Sequence, residues 1–446
     1  MGTTVFKRKI YSKLVQWKTK SEGKTALLIE GARRIGKSTI AEEFAKNEYD
    51  SYLLIDFTKV SKNVINLFED LSDLQYFFLS LQALTGAKLY PRKSCIIFDE
   101  VQFCPKARQA IKHLVKDGRY DYIETGSLIS IKKNIKDILI PSEERRIEMF
   151  PMDFEEFLWA IGKATTFDMI RYSFENMRPL GDGVNRELLR LFRLYILVGG
   201  MPQAVSEYLT GSDFEAVDTV KRDIINLYLS DLEKIDDKGR AATILRSIPA
   251  ELARNTKRYR VGDVIENARI SRLGEIFGDI SKSMTVNFAY HSNDPNIGLA
   301  LHANPDNFKM FLADTGLFIT LGFMEKDFTD NVIYRKLLSD KLPTDLGYVF
   351  ENAVAQLIRT ADHSLYYYTF RDSEDSGNYK IDFLISRKDK ICPIEVKSSG
   401  YKAHKSLDKF QSKFSSRINQ RYLLYTKDIR KDKDIICLPV YMAGLL

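Results

Sequence analysis

The chain has 446 residues with ordinary globular proportions, 44% apolar and 28% charged, and room for about three domains at roughly 150 residues each. Its 67 Lys and Arg against 60 Asp and Glu give a formal +7 that is unevenly placed: +6 over residues 1–24, +8 over 386–434 and −7 between them. No stretch approaches the ~18 apolar residues of a membrane span, charges interrupt any signal-peptide core after Lys7, Arg8 and Lys9, and 27 Phe with 23 Tyr argue against disorder.

Residues 25–152 alternate short β-rich runs (25–30, 51–57, 94–100, 120–127 and 145–150) with amphipathic segments. Near-continuous apolar strands separated by helices predict a parallel sheet covered on both faces. From 153 to about 238 the pattern is helical, opened by Asp153 and Glu156 in capping-box spacing. Residues 239–340 mix short helices with strand-like pieces, and 259–281 is compatible with two short helices joined by a turn, as in a winged-helix-like module. From 341 to 446 a helix (346–361) precedes strands at 365–370, 380–386 and 391–399, a basic helix and a final strand pair. The four cysteines, Cys95, Cys104, Cys392 and Cys437, lack metal-site spacing and read as buried thiols, so a cytoplasmic protein with no membrane partner is expected.

Gly31-Ala32-Arg33-Arg34-Ile35-Gly36-Lys37-Ser38 follows a strand and opens a helix, the context in which a phosphate-binding loop is credible. Glycines let successive N–H groups face the phosphates, and the helix N-terminus adds partial positive charge. Gly31, Arg34, Gly36, Lys37, Ser38 and Thr39 form the candidate ATP-binding set, with Lys37 reaching the β- and γ-phosphates and Ser38 binding Mg²⁺. The next buried strand ends in Asp99-Glu100: Asp99 is expected to hold Mg²⁺ and Glu100 to act as general base. Thr125 and Ser127, ending the following strand, are candidates for sensing the γ-phosphate, and the spacing does not separate them. Arg145 and Arg146 either supply charge to a neighbouring nucleotide or form a solvated strand end.

A second constellation lies near the C-terminus. Asp382 and the Glu395-x-Lys397 pair sit on two strands joined by a polar turn, inside runs too apolar to carry unpaired charges cheaply. Beyond it Lys402, Lys405, Lys409, Lys413, Arg417 and Arg421 recur every four residues, which on one helix makes a basic stripe able to track phosphates.

Together the phosphate loop, IIFDEVQ, ETGS, PMDFEEFLWA, GGMPQAV, LADTGL and IDFLI…PIEVKSS resemble the prokaryotic AAA-type ATPases with an uncharacterised C-terminal domain, over about residues 25–400. The resemblance implies an α/β chain: an AAA-type P-loop parallel sheet (1–152), a helical part (153–238), a winged-helix-like module (239–340) and a restriction-endonuclease-like domain (341–446). The last segment is similar to the PD-(D/E)xK nuclease core. That likeness implies Mg²⁺ on Glu351, Asp382 and Glu395, a water-orienting Lys397, and DNA or another nucleic acid as partner. Pro141 to Arg146 replaces the Gly-Arg often found before the PLSFEEF-like stretch, so no arginine finger is assigned. A homo-oligomer is compatible with the resemblance. Three functions remain open: an ATPase with a nuclease-like DNA-binding domain, a nucleotide-gated interaction protein with an inactive C-terminal fold, and a DNA motor or loader without cleavage.

Overall fold

The computed structural model describes residues 4–126, 142–254, 256–327, 334, 336–337, 347–372, 377–397 and 404–446. The chain forms two compact units, Met1–Phe150 and Pro151–Leu446.

The first unit is built on five parallel strands: β1 (Ala26–Glu30), β2 (Ser51–Asp56), β3 (Ser94–Asp99), β4 (Asp121–Gly126) and β5 (Glu144–Glu148), in the order β2-β3-β4-β1-β5. β1, β3 and β4 are buried along their whole length, as strands covered on both faces must be. Helix Leu74–Thr85 starts where the Asp73 carboxylate accepts the Tyr76 N–H and stops at Gly86, whose left-handed φ of 72° few other residues tolerate. Helix Pro105–Asp117 places its proline at the first position, where no backbone donor is needed. Phe57, Phe68, Phe77, Phe78, Phe98 and Tyr120 meet edge-on or tilted beneath the sheet.

The second unit begins with helices Phe154–Ala160, Ala164–Glu175, Asp182–Val198, Pro202–Gly211, Phe214–Ile235 and Arg240–Ala253. The expected capping box forms: Asp153 caps the Glu156 N–H at 2.9 Å and the Glu156 carboxylate returns to the Asp153 N–H. Residues 259–281 yield 3₁₀ turns at Val261–Asp263 and Ile270–Arg272 and one α-helix, Gly274–Lys282. Only the second of the two expected helices forms as an α-helix, and the chain between the 3₁₀ turns passes through a left-handed residue, Asn267, with φ 59°.

The remaining strands are β6 (Val286–Ser292), β7 (Ala303–Leu312), β8 (Leu365–Arg371), β9 (Asn378–Arg387), β10 (Lys390–Val396), β11 (Arg421–Tyr425), β12 (Arg430–Asp432) and β13 (Ile435–Pro439). They make one mixed sheet in the order β12-β13-β11-β10-β9-β8-β6-β7. β9 and β10 pair antiparallel as the expected hairpin, while β10–β11 and β11–β13 pair parallel. Because β6 and β7 belong to this sheet, it spans both sides of residue 340.

Three of the sequence motifs meet in a packing knot. The Asp314 carboxylate accepts the Gly200 N–H at 2.6 Å and caps helix Thr315–Leu321 through the Leu317 N–H at 2.9 Å. A Cβ on Gly200 would stand 2.0 Å from the Met152 carbonyl oxygen, and one on Gly316 2.6 Å from the Gly199 Cα. These contacts are with backbone, which cannot rotate away. Gly200→Ala is therefore expected to destabilise the second unit by about 3 kcal/mol, the cost of overpacking a closed site. Leu209→Ala, at an exposed side chain, should stay within about 0.5 kcal/mol. Denaturant unfolding of the full chain checks both, and equal midpoints for the two variants would contradict the knot.

Candidate functional site

β1 ends at Glu30 and the loop Gly31–Gly36 carries the chain into helix Lys37–Glu48, at the carboxyl end of a parallel sheet where such folds bind ligands. Gly31 admits no side chain, since a Cβ there would lie 2.5 Å from the Met149 carbonyl oxygen. Gly36 holds φ 93° as the residue before the helix, and exposed Arg34 is itself left-handed at φ 66°. Thr39 lies in the first helical turn, half-buried. The loop is braced by a residue with no motif around it: Arg8 is 6% exposed and donates to the Ile35 carbonyl at 2.8 Å and the Phe150 carbonyl at 2.5 Å. Nothing in the basic N-terminal run distinguishes Arg8 from its neighbours.

Lys37 lies folded over its own loop, its ammonium donating to the carbonyls of Gly31 at 2.9 Å and Ala32 at 2.8 Å. Burial lowers its pKa to about 8, against the opposing pull of Glu100 and Asp99. The Ser38 hydroxyl donates to Asp99 Oδ1 at 2.6 Å, and the Thr125 hydroxyl donates to the same oxygen. Thr125 is thus at the centre of the site; Ser127 lies outside the described residues. Glu100 follows at the left-handed φ of 53°, its carboxylate held by the buried Gln102 amide. Gln102, two residues past the acidic pair, carries no signal of its own in the sequence. Arg146 turns toward Glu144 at 2.8 Å and Glu30 at 3.4 Å, while Arg145 stays exposed.

A glycine-lined cradle, an ammonium, and a hydroxyl beside a carboxylate make a donor set that fits Mg²⁺ and a nucleotide. Ser38 and Asp99 would be the oxygen donors to such an ion, which when bound would neutralise phosphate charge.

The C-terminal carboxylates are arranged otherwise. Glu351, on helix Gly347–Thr360, accepts from Lys309 at 2.8 Å and from Lys380 at 3.2 Å. Lys380 also reaches Asp382 Oδ1 at 2.7 Å, and Asp382 Oδ2 accepts the Val396 N–H at 2.9 Å. Glu395 pairs with Lys397 at 2.7 Å while its other oxygen is buried without a hydrogen-bond partner. Burial raises Glu395 to about 6, and Lys397 opposes that shift. The two lysines at Glu351 outweigh its burial and hold it near 2. Among the described residues, no group of three or more His, Cys, Asp and Glu side chains is gathered to hold a metal ion.

The basic stripe is not continuous. Its helix runs only from Lys405 to Phe414, and Lys402 lies outside the described residues. Lys409 pairs with Asp372 at 2.7 Å, Arg417 with Asp294, and Arg421 with Asp408 and Asp434. Lys405 stands over the Tyr379 ring and Lys413 over Phe370 and Phe414. None of these partners stands at the four-residue spacing from its cation, and Asp294 and Asp372 lie well before the stripe, so the spacing did not reveal them.

Residues 23–158 match the family model of an AAA domain. This stretch, which holds the phosphate loop and the Asp99-Glu100 pair, is similar to AAA domains. Residues 189–327 match one domain of unknown function, DUF8612, and residues 346–442 another, DUF4143. No curated protein matches the chain. Among solved structures, the chain is similar to the Walker-type ATPase PABY2304 of Pyrococcus abyssi at 17% identity, covering 71% of this chain and 96% of that one, with a TM-score of 0.42. Protein VC1899 from Vibrio cholerae is 13% identical, with 88% and 94% covered and a TM-score of 0.18. Can2 from Sulfobacillus thermosulfidooxidans, in complex with cyclic tetra-adenylate, is 10% identical, with 88% and 96% covered and a TM-score of 0.17. Scores this low say nothing of what the chain does. Among the described residues, no single helix is long and apolar enough to cross a membrane.

The buried lysine of the phosphate loop has a pH consequence. A phosphate binds the protonated ammonium, and in the free chain Lys37 loses its proton above about pH 8. Binding there must take up a proton, so affinity for ATP should fall roughly tenfold per pH unit above that point. Titration with a fluorescent ATP analogue from about pH 7 to about pH 9.5 checks this. Lys37→Met should bind weakly with no such limb, and a flat wild-type profile would contradict the assignment.

Proposed function

We propose that the chain is a Mg²⁺-dependent ATPase that hydrolyses ATP and couples turnover to its C-terminal domain. The observation that carries this reading is the sharing of Asp99 Oδ1 by the hydroxyls of Ser38 and Thr125. It joins the phosphate loop to the ends of β3 and β4 within hydrogen-bond reach. Glu100, one residue on, is the group to accept a proton from the attacking water, and Gln102 holds its carboxylate. Thr125, donating to Asp99 from the adjacent strand, is the polar group that senses the γ-phosphate.

For the C-terminal part we propose a nuclease-like fold that serves as a nucleotide-gated interaction domain. The β9–β10 hairpin, the parallel β11 and the intervening helix Lys405–Phe414 support the fold. Pairing of Lys409, Arg417 and Arg421 with carboxylates of the second unit favours interaction over phosphate tracking. Nucleic acid is the rival partner, and it is testable. Steady-state ATPase rates with Mg²⁺, with and without plasmid or single-stranded DNA, should agree within about twofold; at ordinary salt a DNA contact through several cations would be steeply salt-sensitive. Salt-sensitive stimulation by DNA would reinstate the motor or loader reading.

Glu100→Gln separates binding from hydrolysis. The variant should bind ATP as the wild type does, with turnover reduced by about 10²-fold or more, as expected on removing a general base. Undiminished turnover would show that another group activates the water.

A further inference from the structure

Glu351, Asp382 and Glu395 are the carboxylates with which a PD-(D/E)xK-like centre would hold a divalent cation, and each meets a lysine. Lys380 precedes Asp382 by two residues on β9, so both side chains leave the same face of the strand. Its ammonium lies 2.7 Å from Asp382 Oδ1 and 3.2 Å from Glu351 Oε1, bridging a strand carboxylate to a helix carboxylate. Lys309, on β7 and only 4% exposed, brings a second ammonium to the same Glu351 oxygen. Lys397 answers Glu395 at 2.7 Å.

The charges balance without a metal. Three carboxylates face Lys309, Lys380 and Lys397, so the cluster is neutral as it stands. A divalent ion added to it would leave a net double positive charge in a largely buried place, and removing uncompensated charge from water costs several kcal/mol per ion. The geometry agrees, since among the described residues no three ligating side chains converge. Glu351 Oε1 and both Asp382 oxygens already accept hydrogen bonds and have little to offer Mg²⁺ or Mn²⁺, and the unpartnered Glu395 Oε2 is a single carboxylate oxygen, too few to hold such an ion.

We propose that Lys380 is the resident cation of this centre. Its ammonium holds the bridging position between Glu351 and Asp382, so the C-terminal domain keeps a fixed, charged core with no divalent metal. The domain therefore does not cleave phosphodiesters through metal-activated water. This inference stands apart from the ATPase reading, because it concerns residues that bind no nucleotide in that account.

The test counts Mn²⁺ bound to the nucleotide-free full chain by electron paramagnetic resonance, so that any ion at the phosphate loop contributes equally to every protein compared. Wild type, Asp382→Asn and Lys380→Arg should bind the same number of ions. Lys380→Ala, which opens the bridging position and leaves the carboxylates short of one positive charge, should bind one more, and Lys380→Ala with Asp382→Asn should lose it again. Loss of an ion from wild type on Asp382→Asn would overturn the proposal, as would failure of folded Lys380→Ala to gain one. Plasmid nicking gives a second readout that needs no variant. Wild type should not nick in Mg²⁺ or Mn²⁺ with or without ATP, and nicking abolished by Asp382→Asn would overturn the proposal.

Discussion

One oxygen atom, Asp99 Oδ1, accepts hydrogen bonds from the hydroxyls of both Ser38 and Thr125, which stand on different elements of the first unit. Ser38 is fixed by the first turn of the helix that follows the phosphate loop, Asp99 by the end of β3 and Thr125 by β4. Such a contact requires β3 and β4 to be neighbours and β1 to lie beside β4, which is the strand order observed. The crossover from β1 to β2, with β3 and β4 placed between them, leaves the loop and the acidic strand end together at the carboxyl end of the parallel strands. Hydrolysis chemistry, in this account, is a consequence of that topology.

The loop carries strain and buried charge that the surrounding structure must hold. Non-glycine residues at Arg34 and Glu100 sit in left-handed backbone conformations that cost of order 1 kcal/mol each. Lys37 is buried against carbonyls, with burial acting against its charge. Arg8 offsets part of this by tying the Ile35 carbonyl to the Phe150 carbonyl. A site prepared in this way favours a phosphate group, which restores to the ammonium a full opposite charge.

Legibility in the sequence followed the range of the interactions. Local features were readable: the parallel strands from their apolar runs, the phosphate loop from its spacing, the capping box from Asp153 and Glu156, and the β9–β10 hairpin from its polar turn. Features set by distant residues were not. The stripe from Lys402 to Arg421 looked like one helical face, but the helix ends at Phe414 and Arg421 is buried at the start of β11. Lys309 gave no hint of its place beside Glu351, because that depends on β7 joining a sheet whose other members lie far along the chain. Thr125 and Ser127 were equivalent by spacing; Thr125 hydrogen-bonds Asp99, and Ser127 lies outside the described residues. The GGMPQAV and LADTGL motifs were visible as signatures, and their physical content is the close approach of Gly200 to Met152 and of Gly316 to Gly199.

The two acidic centres of the chain therefore differ in one physical respect. In the first unit, among the described residues, the side-chain hydrogen bonds to Asp99 come from the Ser38 and Thr125 hydroxyls rather than from an ammonium, which leaves its charge for an incoming cation. In the second, Glu351 and Asp382 already face ammonium groups. The most direct check on the first half of that contrast is single-turnover hydrolysis of bound ATP by Thr125→Val, which keeps the side chain's volume and removes its hydroxyl. The account predicts ATP affinity within about threefold of wild type and a hydrolysis rate lowered about 10²-fold, the scale of losing one preorganised donor; a wild-type rate would contradict the role given to the Asp99 cluster.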